Sequence, residues 1–369
     1  MSMEGVTPSA RSSLSLDPSL AALQPSPGVT HRYSDIRYEV QEGVARITLN
    51  RPQAHNAYTT QTLHELLGAL KDASFDDRVG VIVLTGAGSR AFCTGGDVKE
   101  YATHYTVRPH DYWKYMTLFR GVVEGLLRCG KPTIARLNGM TIGGGNELHL
   151  ACDLSVAAAH VHIGQVGVGV GSVAAGGATQ WLPLAVGDRR AREMLFLNER
   201  IPASRALDWG LVTRVVPSVR GPDGLLPLPT EAEIDRARSG TDGWRIDLGP
   251  LDAAVAELSH RMLAMFPECM RYTKQQTNFW KELAWHQTIG HAQDWLSLHF
   301  ATLEPNEGMR AFVEKRPARA REIRQSLAEG GNGEFPFGSP IRRCPSCGAT
   351  GLPADFPFCG RCGHRVSEA

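Results

Sequence analysis

The chain has 369 residues, 42% of them hydrophobic and 21% charged, an ordinary composition for a globular protein built as one large domain plus appendages. A formal net charge of +1 excludes a whole-protein electrostatic case for nucleic acid or a membrane surface, and no apolar run is long enough to cross a bilayer. Cys93, Cys129, Cys152 and Cys269 are scattered in apolar contexts and read as single buried thiols, whereas Cys344, Cys347, Cys359 and Cys362 form two C-x-x-C pairs in a short tail.

Residues 1–32 form a Ser/Pro-rich leader without the basic and apolar regions of a signal peptide, so the cytoplasm is the expected compartment. Tyr38 to Asn50 reads as a β-hairpin. Leu63, Leu66, Leu67 and Leu70 then recur at helical spacing, and Val79 to Gly86 is a continuous apolar strand. A loop, AGSRAFCTGGD, leads to a helix starting near Val98. KPTIARLNG is a further strand, followed by the run TIGGGNELHLACDLSV, which opens a helix, and by the strand LSVAAA. Alternating strands and helices on short links predict an α/β fold. Residues 188–214 read as helices, and 215–249 hold a polar Pro/Gly-rich insert. The expected organisation is a core over 33–250, a helical region over 251–328, a linker over 329–342 and a cysteine-paired module over 343–369.

Two glycine-rich turns, FCTGGD at 92–97 and IGGGNE at 142–147, each follow an apolar strand. Backbone N–H groups at a helix start are unpaired and lie at the positive end of its dipole. Glycine lets a substrate oxygen approach them. Two such donors make an oxyanion hole, and one lost donor costs roughly 3 kcal/mol of transition-state stabilisation. Glu147, on the first turn of the second helix, is the expected acid–base group, with its ionised form favoured by the dipole. Asp97 is placed to cap the helix that follows it. His149 points off another face and reads as structural.

The runs ITLNRPQAHNAY, VIVLTGAGSRAFCTGGDVKEY, KPTIARLNGMTIGGGNELHLACD, ALDWGLVTRVVP and EGMRAFVEKRP resemble the enoyl-CoA hydratase/isomerase (crotonase) superfamily, over roughly residues 36 to 317. The resemblance implies a spiral of ββα turns with a trailing helical region, a homotrimer or a dimer of trimers, and a CoA-thioester substrate. Its carbonyl oxygen would be held as an enolate by the N–H groups of Gly96 and Gly144. CoA would run past Cys93, Thr94 and Gly95, with Lys315 near its phosphates, and an acyl pocket would draw on Asp97, His104, Tyr105, Gly167 and Ser172. Tyr112 and Tyr115 are candidates to line a cyclic substrate.

Within the superfamily, FCTGGDVKEYATHYTVRPHDYWKYM, GQVGVGVGS and FPECMRYTKQQTNFWKE are similar to 6-oxocyclohex-1-ene-1-carbonyl-CoA hydrolases, which hydrate an enoyl-CoA and open its ring. The GGGNELHLACDLSVAA run also resembles 1,4-dihydroxy-2-naphthoyl-CoA synthases, but the acidic residue those carry shortly after the equivalent of Ser172 is absent. Hydratases with two glutamates place the second where Gly167 stands. Its absence argues against plain hydration of a linear enoyl-CoA and for a bulky cyclic or β-oxo substrate. Hydration or isomerisation of a linear substrate is the alternative, and a non-catalytic CoA-binding scaffold a third reading.

Each C-x-x-C pair of the tail is followed by glycine, and eleven residues separate Cys347 from Cys359. Two such knuckles complete a tetrahedral Cys₄ site, and the module resembles a small zinc ribbon, with iron the alternative. Four protein ligands leave no open position, so a structural ion is expected. A docking role toward a protein partner is the expectation for the ribbon.

Overall fold

The computed structural model describes residues 33–366; the expected leader lies outside them, as do residues 367–369. The chain opens with the antiparallel pair β1 (Ile36–Gln41) and β2 (Val44–Leu49), then α1 (Thr60–Phe75). Thr59 caps α1 in a reciprocal box with Thr62, which leaves the leucine face buried. Three turns of strand–strand–helix follow. They comprise β3 (Val81–Gly86) and β4 (Ala91–Cys93), then a single turn, α2 (Val98–Glu100), and α3 (Tyr112–Arg128); β5 (Thr133–Leu137), β6 (Met140–Ile142) and α4 (Gly144–Ala151); β7 (Leu154–Ala158), β8 (His162–Gly164) and α5 (Ala178–Val186).

The first strand of each turn enters one sheet and the second enters another. A six-stranded sheet runs β1-β2-β3-β5-β7-β10, closing with β10 (Arg214–Val216). A four-stranded sheet runs β4-β6-β8-β9, with β4, β6 and β8 parallel and β9 (Arg200–Pro202) antiparallel at its edge. The chain is therefore a ββα spiral, as the resemblance implies, rather than a simple βα alternation. β3 is buried along its length, as a parallel strand covered on both faces must be.

Local expectations need correction at three places, and a fourth, the insert, gains detail. The segment AGSRAFCTGGD is not all loop: Ala91–Cys93 pairs with β6, a strand too short to show a period. The helical reading of 188–214 is interrupted, because between α6 (Asp188–Leu197) and α7 (Ala203–Asp208) the chain pairs with β8 as β9. The 215–249 insert is ordered: β11 (Val219–Gly221), β12 (Gly224–Leu226), α8 (Glu231–Ser239) and β13 (Arg245–Ile246) enclose a small second core of Val219, Ile234 and Ala237. Cys269 is exposed, not buried.

The trailing helices are α9 (Gly249–Leu263), α10 (Pro267–Thr277), α11 (Phe279–His299), α12 (Leu303–Val313) and α13 (Ala320–Ala328). α9 lies across β3, β5, β7 and β10, while α11 packs on α3 and α5 through Trp285, whose ring centroid is 5.3 Å from that of Trp181. Residues 330–340 carry neither helix nor strand, and Leu303 N–H donates to Gly333 O at 3.1 Å. No helix among the described residues is long and apolar enough to cross a membrane.

Candidate active site and cysteine cluster

The parallel strands β4, β6 and β8 release the chain at one end of their sheet, where ligands collect in such folds. After β4 the chain turns through Gly95, at φ +90°, and after β6 through Gly143, at φ +57°. The two turns touch. A Cβ on Gly95 would stand 2.9 Å from Gly144 N, and one on Gly145 would stand 2.0 Å from Cys93 O. Side chains are excluded at both positions by backbone. The N–H groups of Gly96 and Gly144 meet no protein acceptor among the described residues. Both glycines line one cavity.

Glu147 lines the same cavity and is 4% exposed. Its Oε1 accepts the N–H of Gly176 at 2.6 Å and of Ala178 at 3.2 Å, from the turn that opens α5. Burial pushes the carboxyl up to about 7, against the opposing pull of those two hydrogen bonds. The expectation that the helix start would favour the ionised form is thereby corrected: loss of water outweighs the dipole. A carboxyl poised near neutrality exchanges a proton in either direction.

Much of the cavity wall is aromatic. Tyr58, Tyr101, Tyr112, Tyr115 and Phe119 all line the cavity. The hydroxyls of Tyr101 and Tyr115 are 2.6 Å apart, and a Cβ on Gly96 would stand 1.7 Å from the Tyr101 oxygen. Tyr58 pairs with Gly96 as an isolated β-bridge.

Of the proposed acyl-pocket residues, Gly167 and Ser172 line the cavity, and Asp97, His104 and Tyr105 do not. Asp97 caps α2, accepting from Lys99 and Glu100 N–H at 3.0 and 3.4 Å, and binds Arg51 at 3.0 Å. After α2 the chain forms a π-helical turn, Tyr101–Tyr105, instead of a continuous helix. That turn sends Tyr101 inward, leaves His104 exposed 3.7 Å from Asp111, and directs the Tyr105 hydroxyl to Thr60 at 2.6 Å. A Cβ at position 167 would lie 3.1 Å from Ser172 O, a tight contact that asks the neighbouring backbone to shift by a few tenths of an ångström. Thr94 and Gly95 line the cavity. Cys93 does not: it is fully buried, which pushes its thiol up to about 12. Lys315 is exposed at the end of α12, outside the cavity. His149 is buried on Asn146 and Ser155 at 3.1 Å each, which pushes it down to about 3, a structural role.

Tyr58, Tyr101, Phe119 and Gly176 escape the reading of the sequence. Tyr58 had one signal, its place at the end of the ITLNRPQAHNAY run, but its meeting with Gly96 is a long-range pairing. Gly176 had none. A Cβ there would meet Phe119 at 2.1 Å and Glu147 Oε2 at 2.7 Å, a crowding only the fold creates.

In the tail, the sulfurs of Cys344, Cys347, Cys359 and Cys362 lie within 4.8 Å of one another. Cys344 and Cys362 approach to 3.6 Å, and Cys347 and Cys359 to 3.7 Å. Four thiolates around a tetrahedral ion with bonds of about 2.3 Å would be separated by about 3.8 Å. The two knuckles are built alike. Cys344 N–H donates to Ala349 O and Gly348 N–H to Cys344 O; Cys359 N–H donates to His364 O and Gly363 N–H to Cys359 O. Gly348 and Gly363 both have φ near the left-handed value, +72° and +75°. The donor set and its geometry fit a tetrahedral metal.

The spiral, the paired glycine turns and the buried carboxyl define an acyl-CoA enzyme of the crotonase type, and the chain belongs to the enoyl-CoA hydratase/isomerase family, whose model matches residues 39–221. Two curated relatives, both named 6-oxocyclohex-1-ene-1-carbonyl-CoA hydrolase, are similar along most of their length. That of Geobacter metallireducens is 37% identical over 318 residues, 79% of this chain and 83% of its own. That of Thauera aromatica is 35% identical over 309 residues, 77% and 82% respectively. Among solved structures, an enoyl-CoA hydratase/isomerase from Xanthobacter autotrophicus Py2 is 29% identical with a TM-score of 0.59, covering 80% of this chain and 97% of that one. An enoyl-CoA hydratase from Mycobacterium avium subsp. paratuberculosis K-10, at 24% identity and a TM-score of 0.63, covers 78% and 98% and shares the fold.

Proposed function

We propose that this enzyme adds water to a cyclic oxo-enoyl-CoA and then opens the ring. The observation that carries the reading is a single buried carboxyl, Glu147, facing an aromatic cavity that also presents the free N–H groups of Gly96 and Gly144. The thioester oxygen accepts from those two N–H groups. Glu147 removes a proton from water; the hydroxyl adds to the β-carbon, and the electron pair moves onto the thioester as an enolate. The same carboxyl then returns the proton to the α-carbon. One group suffices for this sequence because its proton affinity sits near neutrality.

Ring opening reuses the same parts. A second water adds to the ring ketone carbon, the bond from that carbon to the α-carbon breaks, and its electron pair passes to the thioester as the same enolate. The ketone carbon becomes a carboxylic acid, and the α-carbon is reprotonated. The names of the two curated relatives supply the substrate class. Thr94 and Gly95 would face the CoA thioester arm. Lys315 would serve CoA phosphates only from an arrangement in which its helix end meets a bound CoA, such as a neighbouring subunit's. The assembly expected is a homotrimer or hexamer in the cytoplasm. Zinc is the ion we assign to the four tail cysteines; when bound it supplies cross-linking of the ribbon, not chemistry.

The test is a substrate panel. Turnover of 6-oxocyclohex-1-ene-1-carbonyl-CoA to an open-chain dicarboxylate monothioester is expected, with crotonyl-CoA poor. Fast crotonyl-CoA hydration without turnover of the cyclic substrate would overturn the reading, and tight CoA binding with no turnover of any acyl-CoA would favour a scaffold.

A further inference from the structure

Glu147 and two backbone N–H groups carry the proposed reaction, and the hydroxyl of Tyr58 has no part in it. Tyr58 is 2% exposed and lines the cavity. Its hydroxyl makes no hydrogen bond to the protein, since the neighbouring phenols of Tyr101 and Tyr115 bind each other. The oxygen is not sealed inside the protein but opens onto the cavity, where a ligand can reach it.

The residue is held rigidly. Its N–H donates to Gly95 O at 2.9 Å, and its own carbonyl accepts the Asp97 N–H at 2.9 Å, so the backbone is strapped to the first glycine turn. Its ring stacks on Phe119 with 5.0 Å between centroids. Its oxygen lies against the second glycine turn, 1.8 Å from where a Gly144 Cβ would be. Tyr58 thus bridges the two turns whose N–H groups are free. Burial, Tyr101 and Glu147 all push the phenol well above its ordinary value, so across the neutral range it is a donor and never a base.

We propose that the Tyr58 hydroxyl is the receptor for a β-oxo oxygen of the acyl group, and so selects β-oxo acyl-CoA substrates. The inference rests on the reading that the thioester oxygen sits on Gly96 and Gly144. In a β-oxo thioester the two carbonyl oxygens lie side by side when both point the same way, so a donor adjoining the oxyanion hole meets the second as the hole meets the first. A linear enoyl-CoA offers only C–H at that place and leaves the phenol unpaired, and a site built to bond an oxygen discriminates against the analogue lacking it. When water adds to the ring ketone, negative charge develops on this same oxygen. Tyr58 stabilises it by its hydrogen bond and keeps its own proton throughout.

The experiment measures binding of two CoA thioesters to the full-length chain, those of 2-oxocyclohexane-1-carboxylic acid and of cyclohexane-1-carboxylic acid, in a Glu147→Gln background that suppresses turnover. The single variant is expected to bind the oxo thioester about tenfold more tightly. Adding Tyr58→Phe, which keeps the stacked ring, should abolish that preference and leave affinity for the oxo-free thioester unchanged. Equal affinities in Glu147→Gln, or a preference that survives Tyr58→Phe, would overturn the inference. Turnover is scored separately on the wild-type chain. A preference that depends on Tyr58, without ring opening, would overturn the proposed reaction and sustain the receptor role.

Discussion

A Cβ on Gly144 would stand 1.8 Å from the Tyr58 hydroxyl oxygen, far inside contact distance, so the free N–H of this turn and the phenol beside it require each other's shape. Gly144→Ala must therefore displace either the aromatic wall or the glycine turn. We expect kcat/KM to fall about 100-fold or more, the scale of losing one oxyanion donor. Tyr58→Phe in the same chain should not restore it, because the ring carbon beneath the oxygen would still lie 2.8 Å from the added methyl. Steady-state kinetics on both variants decide the point.

Glu147→Gln removes the only carboxyl that lines the cavity among the described residues. Loss of general acid–base catalysis predicts a fall in kcat of about 10²–10⁴. A fall of less than tenfold would take Glu147 out of its assigned role.

Stability should move the other way. The folded carboxyl takes up its proton near 7 and an unfolded glutamate near 4.5. Between those values the native state binds more protons, so wild-type stability declines as pH rises through this window, by about 3 kcal/mol at most. The amide has no such window. Glu147→Gln should therefore melt higher than wild type at pH 8 and nearly level with it at pH 4, readable by calorimetry at the two pH values.

The activity profile follows from the same group. If proton removal from water limits the rate, kcat should rise with pH and level off above about 7. A profile flat from pH 5 to 9 would contradict the burial-raised carboxyl.

One zinc per chain is expected by elemental analysis, lost on strong chelation or in Cys347→Ser. Metal loss should render residues 341–366 protease-sensitive, since the ribbon has few large apolar side chains to hold it. Turnover should stay within about twofold, because none of the four cysteines lines the cavity. A chain that loses activity in proportion to its zinc would show that the tail supports the catalytic body.

That the glycine turns and Glu147 share a cavity and that the four cysteines cluster was legible in the sequence, because each rests on a local pattern: unpaired N–H groups at a helix start, or thiols on tight knuckles. His149 lies outside the Glu147 cavity, as expected of a residue two positions further on, where a helix has turned to another face. Pairings between distant segments were not legible. Strand Ala91–Cys93 is three residues long and is defined by its neighbour Met140–Ile142. His104 and Tyr105 were assigned to the pocket by the family resemblance, and a π-helical turn there leaves both outside the cavity. The ionisation of Glu147 was misjudged because a helix start is visible in sequence and its burial is not.

The spiral divides the labour of the site among successive windings. The first delivers Gly96, the second Gly144 and Glu147, and the third position 167, all at one end of the sheet β4-β6-β8. In the proposed reaction, activation of the thioester would thus belong to two adjoining coils, while the presence or absence of a second carboxylate belongs to a third. Such a scaffold can be re-purposed one coil at a time: what the third coil carries alters which bond is made or broken without disturbing how the substrate is gripped.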